Sequence, residues 1–279
     1  MAAQSTEFPN HASLLHRYPV VSYFVLTFAI SWLAAFFVAA PHLLRREPLP
    51  QLTGILMFPT MLLGPSLSGI ILTRILDGKS GLRDLFSRMF NYRAGRWYAV
   101  LLIPPALVLT ILLLLKTFIS PAFTPNFFLF GIFFGVPAGF LEEIGWTGFA
   151  FPKMSSQQNP LAAGILLGLL WGLWHLPVID YLGAATPHRS WWLPFALAFI
   201  AAMGAMRVLI AWLYSNTKSV LLAQLLHVSS TGSLVIFSPR VTAAQEVLWY
   251  ALYAAILWLA VAAIAKLFTT RLARNGSRK

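Results

Sequence analysis

An all-α, polytopic transmembrane helical bundle of about eight spans is the fold that this 279-residue chain predicts, and three observations predict it. Hydrophobic residues make up 58% of the chain and charged residues 10%, with a mean hydropathy of +0.74, a balance that a water-facing surface does not tolerate. Apolar stretches of about 20 residues, enough to cross roughly 30 Å of hydrocarbon, recur along the sequence. The cations gather in the segments between those stretches.

Taken in order, the spans run approximately over 18–40, 52–76, 97–119, 127–151, 161–180, 191–214, 220–237 and 247–267. The first is too long and apolar for a signal peptide and has no small-residue cleavage site before Pro41, so it is expected to remain as an anchor. Pro104 and Pro105 in the third span and Pro137 in the fourth remove backbone donors and predict kinks. The polar stretch 152–160 is short and makes spans four and five neighbours. With no long hydrophilic insert and no internal repeat, residues 1–279 read as a single membrane domain.

The net charge of +12 fits the positive-inside rule better than nucleic-acid binding. With the N-terminus inside, fourteen Lys and Arg residues fall on one side, while Arg45, Arg46, Lys116, Arg189 and Arg240 fall on the other. Both termini are therefore expected to be cytoplasmic, with membrane lipid and not nucleic acid as the surrounding partner. The short loops suit a bacterial inner (plasma) membrane. Residues 77–96 read as a basic amphipathic segment on the cytoplasmic leaflet, with Leu82, Leu85, Phe86, Met89 and Phe90 as its apolar face. The absence of cysteine excludes disulfides, thiolate metal sites and a cysteine nucleophile, so any metal would need His and carboxylate ligands.

Function must then lie inside the bundle, and the intramembrane ionisable residues point to it. Glu7, Glu47, Asp77, Asp84 and Glu246 fall in tails or loops where charge costs little. Glu142 and Glu143 fall within the fourth span, where one ionised side chain costs about 2.5 kcal/mol or more. The bland alternative is a shorter span whose end the pair caps. His11, His16, His42 and His188 are peripheral, whereas His175 and His227 lie within spans five and seven. Carboxylate and imidazole together can activate water, share a proton or ligate a metal, and residue types alone leave those roles open.

Neighbouring helical residues differ by about 100°, so Glu142 and Glu143 cannot both face one centre, and one should support the other. Glu143 shares a stripe with Thr147 at i+4, and Glu142 shares one with Trp146. Arg207, inside span six, reads first as a side chain snorkelling to the cytoplasmic surface, and otherwise as the counter-charge for a glutamate. Depth counted along straight spans sets Glu142 and His227 about 12 Å in and His175 about 21 Å in. A fifth helix that starts late or tilts strongly would remove that mismatch.

The runs Glu142-Glu143-Ile144-Gly145-Trp146 and Trp171-Gly172-Leu173-Trp174-His175, followed by His227, resemble the CPBP intramembrane protease family. That family includes type II CAAX prenyl endopeptidases and bacteriocin-processing and abortive-infection proteins. Its motifs are EExxxR, FxxxH and HxxxN or HxxxD on a core of four helices, and the likeness covers roughly residues 77–238. The resemblance implies a four-helix catalytic core over 127–238, spans four to seven.

It further implies an endopeptidase (hydrolase) acting on a membrane-associated, prenylated or leader peptide. Glu142 would be general base for the hydrolytic water, with Glu143 supporting it. His175 would hold that water or protonate the leaving amine, and His227 with Thr231 would steady the oxyanion. Trp171 takes the aromatic position of the second motif.

Two positions depart from the pattern: Thr147 stands where the family has Arg, and Thr231 where it has Asn or Asp. Arg207 could replace the missing Arg from another helix, and the Thr231 hydroxyl can still donate one hydrogen bond. A zinc-dependent version of the mechanism would take Glu142, His175 and His227 as ligands, and the metal-free glutamate version is preferred. Two other functions compete. A catalytically silent family member, a scaffold or immunity factor, is favoured by Thr147 and Thr231. A proton-coupled transporter would also keep a glutamate pair, but no inverted repeat or pair of broken helices supports it.

Overall fold

A computed structural model describes residues 11–276, and among them every regular element is helical. Glu7, Arg278 and Lys279 lie outside the described residues. In chain order the helices are α1 (His11–Arg17), α2 (Pro19–Arg45), α3 (Gln51–Met61), α4 (Leu63–Leu76), α5 (Gly78–Met89) and α6 (Ile103–Phe118). They continue as α7 (Ile132–Gly145), α8 (Phe151–Ser155), α9 (Pro160–Trp174), α10 (Trp192–Thr217), α11 (Val220–Ile236) and α12 (Ala243–Gly276).

Among these residues six helical runs are long and apolar enough to cross a bilayer: Pro19–Arg45, Gln51–Leu76, Gly95–Phe118, Leu129–Ser155, Arg189–Thr217 and Ala243–Lys266. The chain is an integral membrane protein built as a multi-span helical bundle. Two of the expected spans are shorter, Pro160–Trp174 and Val220–Ile236. The fifth ends at Trp174 and not at Asp180, because Pro177 cannot donate a helical hydrogen bond and its ring disfavours a helical Leu176.

Lipid-facing and protein-facing sides are written into single helices. The buried residues of α2 are Tyr23, Thr27, Ser31, Ala35 and Ala39, one every fourth position, while Val25 and Phe37 on other faces are exposed. Helix α7 packs against α4 and α11, α9 packs against α10, and α10 packs against α12. The α7–α11 crossing depends on Gly139: a Cβ there would stand 2.7 Å from the Gln224 carbonyl oxygen and 2.8 Å from the Val228 nitrogen.

After Gly145 the chain of α7 does not stop. It widens into a π-helical turn, Trp146–Ala150, and continues through α8 to Ser155, four residues past the expected end. This removes the depth mismatch from the other side. Counted from Ser155, Glu142 lies about 20 Å along, and counted from Pro160, His175 lies about 22 Å along. Helix α11 starts already inside the bundle, since Ser219 and Val220 are buried and the Ser219 hydroxyl donates to the Asn91 carbonyl at 2.5 Å. Of the apolar face expected between 77 and 96, Leu85 is buried, whereas Phe86 and Phe90 are exposed.

Candidate active site

The glutamate pair sits on a stretch of α7 held from both sides. The Ser66 hydroxyl of α4 donates to the Leu141 carbonyl at 2.9 Å, and the Gln224 amide of α11 donates to the Phe140 carbonyl at 3.0 Å. Both grips fall on the two residues before Glu142, so they fix the rotation of the helix where the carboxylates leave it. Neither Ser66 nor Gln224 carries a sequence signal, because each acts through a backbone carbonyl that only the tertiary packing brings near.

The two carboxylates then diverge, as their separate stripes require. Both are wholly buried. Glu142 Oε2 accepts the indole N–H of Trp146, one turn on, at 3.1 Å, and that of Trp171 from α9 at 2.6 Å. Glu142 Oε1 has no hydrogen-bond partner. Glu143 is instead fully engaged: Oε2 accepts from Arg207 Nη1 at 2.7 Å and from the Thr147 hydroxyl, while Oε1 accepts from Arg207 Nη2 at 2.8 Å and from His227 Nδ1–H at 2.7 Å. One glutamate is thus an anchor with no spare acceptor, and the other has a carboxylate oxygen left for chemistry.

Arg207 is buried and makes a two-pronged pair with Glu143, so the expectation that it snorkels is corrected. The physical reason is desolvation. An ionised Glu143 inside the bundle needs a partner, and a planar guanidinium supplies two charge-assisted bonds in one geometry. Arg207 Nη1 also lies 3.5 Å from the Thr147 hydroxyl. A residue of α10 therefore faces the position where the resembled motif carries its Arg.

Trp171 stands at the centre of the cluster. Its ring meets His227 edge-on at 5.1 Å between centroids and His175 at 5.5 Å, and the Arg207 guanidinium lies over it at 4.2 Å. The indole also donates to Glu142, which a phenylalanine could not do. His175 caps α9, and its Nδ1–H donates to the Trp171 carbonyl at 2.8 Å. A carbonyl accepts only, so Nδ1 carries the hydrogen and Nε2 is left as an acceptor in the neutral ring. The structure therefore brings together Glu142, Glu143, Trp171, His175, Arg207 and His227. Thr231 lies one turn beyond His227 on α11, half-buried, and its hydroxyl has no protein partner among the described residues.

A zinc ion does not fit this donor set. Among the described residues no three His or acidic side chains are grouped so as to hold a metal. Both oxygens of Glu143 are committed to Arg207 and His227, and a guanidinium at 2.7 Å from that carboxylate opposes a second cation beside it.

Two further residues depart from their expected places. His188 and Glu246 are buried, not peripheral, and belong to a separate cluster with Asp180. Trp146 is visible in sequence as the i+4 partner of Glu142, and it donates to that carboxylate.

A sequence profile for the type II CAAX prenyl endopeptidase Rce1-like family matches residues 123–232, a range that holds both glutamates, both histidines, Arg207 and Thr231. The chain is also similar to CAAX prenyl protease 2 of Methanococcus maripaludis, 29% identical over 234 residues, which cover 76% of this chain and 82% of that protein. With the glutamate pair and the two histidines gathered around one indole inside a helical membrane bundle, the chain is similar to the CPBP/CAAX prenyl endopeptidase family of hydrolases over the segment that carries those residues.

Proposed function

We propose that the chain is an intramembrane endopeptidase that cleaves a peptide bond of a membrane-associated peptide, with water activated by Glu142. The observation that carries this reading is the asymmetry of the Glu142 carboxylate: Oε2 is fixed by two indole N–H groups, and Oε1 is buried without a partner. A carboxylate oriented through one oxygen and free at the other suits a general base.

In the proposed cycle Oε1 takes a proton from water as its oxygen attacks the scissile carbonyl carbon. The Nε2 lone pair of His175 accepts the water's other hydrogen and so aims the attacking oxygen, which favours its positioning role over protonation of the leaving amine. The carbonyl oxygen becomes an oxyanion that accepts from the Thr231 hydroxyl and from Nε2–H of His227, whose protonated ring is stabilised by Glu143 at Nδ1. The proton held by Glu142 then passes to the amine nitrogen as the C–N bond breaks. Arg207 keeps Glu143 ionised and in place, which is the part the Arg of the first motif would otherwise play. The catalytic core is residues 127–238, and both termini face the cytoplasm, because fourteen Lys and Arg residues fall on that side of the bundle against five on the other.

The test is cleavage of quenched peptides, with and without a prenyl group, by the protein in lipid. Cleavage that disappears in Glu142→Gln and persists in chelator is the expected result. Equal inactivity of both forms on every peptide would mean a silent relative, with Thr147 and Thr231 as its marks.

A further inference from the structure

Outside the candidate active site the bundle holds a second cluster of buried ionisable groups. His188, in the loop between α9 and α10, is buried, as is Glu246 in the first turn of α12. Glu246 Oε1 accepts the Ala184 amide and Oε2 the Ala185 amide, each at 2.7 Å, so two successive backbone N–H groups close on one carboxylate. Gly183 makes that approach possible: its φ is +92°, and a Cβ there would collide with the Glu246 carboxylate.

The His188 ring completes the cluster. Nε2 lies 3.2 Å from Glu246 Oε2, and Nδ1 lies 3.1 Å from Asp180 Oδ1, which also accepts the His188 amide at 2.8 Å. Each ring nitrogen faces a carboxylate oxygen, so both bonds form only when both nitrogens carry hydrogen. Such a network fixes three separate pieces of chain: the turn after α9, the loop at 183–188 and the start of α12.

Two routes lead from this cluster to His175. Through the backbone, the Val178 amide donates to the His175 carbonyl at 2.9 Å, and Asp180 follows in the next turn. Through side chains, the His188 ring stacks on Phe195 at 3.7 Å, Phe195 meets Phe199 at 5.9 Å, and Phe199 meets the His175 ring edge-on at 5.2 Å. His175 caps α9 and its Nδ1–H donates to the Trp171 carbonyl of that helix, while Phe199 of α10 meets the ring edge-on.

We infer that Asp180, His188 and Glu246 form a clamp that positions His175, tying the end of α9 to α12. These are positioning residues, not catalytic ones. The consequence for cleavage rests on the role of His175 proposed above, whereas the mechanical coupling does not.

The experiment uses the full chain in lipid nanodiscs and compares the native protein with Glu246→Gln and Glu246→Ala by amide hydrogen exchange and by cleavage kinetics. Gln keeps one acceptor for the loop amides and the volume of the side chain, so it retains the fold if Ala does not. The expected result is exchange at least tenfold faster both at 183–188 and at 172–178 in the Ala variant, with Gln between it and native. The kcat falls about tenfold in the Ala variant, with KM unchanged and partial recovery in Gln. Faster exchange confined to 183–188, with 172–178 at the native rate in both variants, would overturn the clamp. A native chain that exchanges as expected but cleaves nothing would sink the proposed function and leave the clamp standing.

Discussion

The two buried carboxylate–histidine clusters differ in what they leave unsatisfied. Around Glu246 both carboxylate oxygens and both ring nitrogens of His188 have partners. Around Glu142 and Glu143 the engagement is uneven: Glu143 is saturated by Arg207, Thr147 and His227, while Glu142 keeps one oxygen without a partner. The residue types are nearly the same, so type does not separate a structural cluster from a reactive one. The difference is in the spare valence. A saturated network rigidifies, whereas a network with one oriented, unpartnered acceptor has somewhere to put a proton.

The sharpest way to break this comparison is to remove the spare acceptor. Glu142→Gln keeps an oxygen for the two indole N–H groups, and peptide cleavage should fall about thousandfold, within the usual range for loss of a general base. The unfolding midpoint should stay close to native. A Gln variant that cleaves at more than a tenth of the native rate would remove Glu142 from the centre of the reaction.

Breaking the anchor should instead cost stability. Arg207→Leu leaves Glu143 as an uncompensated charge in the bundle, and about 3–5 kcal/mol should be lost in chemical unfolding in detergent. Arg207→Leu combined with Glu143→Leu should recover much of that loss while remaining inactive. If the single variant unfolds like the native protein, the pair is not what holds α7 to α10. A smaller effect is expected from moving the guanidinium. Thr147→Arg in the Arg207→Leu background places an Arg at i+4 from Glu143, and about half of the lost stability should return, together with measurable cleavage.

How much of this was legible in sequence follows the range of the interactions. Membrane burial, the glutamate pair and its two stripes come from spacing along one helix, and the structure reproduces the stripes as hydrogen bonds to Trp146 and Thr147. For Arg207 the sequence leaves two options, because distance from a helix end does not reveal which face a side chain takes. Glu246 and His188 look peripheral in sequence, since their flanks say nothing of the loop that closes over them. A fourth span ending at 151 stops four residues short of Ser155, and that alone produces the depth mismatch, whereas a fifth span through Pro177 only overstates the length of α9. Ser66 and Gln224 carry no sequence signal at all, because what they grip is backbone.

The smallest effect tests the centre of the cluster. Trp171→Phe restores the aromatic that the second motif carries and keeps a ring between His175 and His227, but it removes the indole donor to Glu142 Oε2. Trp146 remains as the second donor, so the carboxylate should keep its place and lose only part of its orientation. One hydrogen bond to a charged group is worth about 1.5 kcal/mol, which corresponds to roughly tenfold in kcat with little change in KM. A native kcat in the Phe variant would mean that Trp146 alone aims Glu142, and the reading of Trp171 would shrink to a ring that separates two histidines. A loss as large as that of Glu142→Gln would mean the opposite: that the chain depends on the indole N–H at a position where the motif does without one.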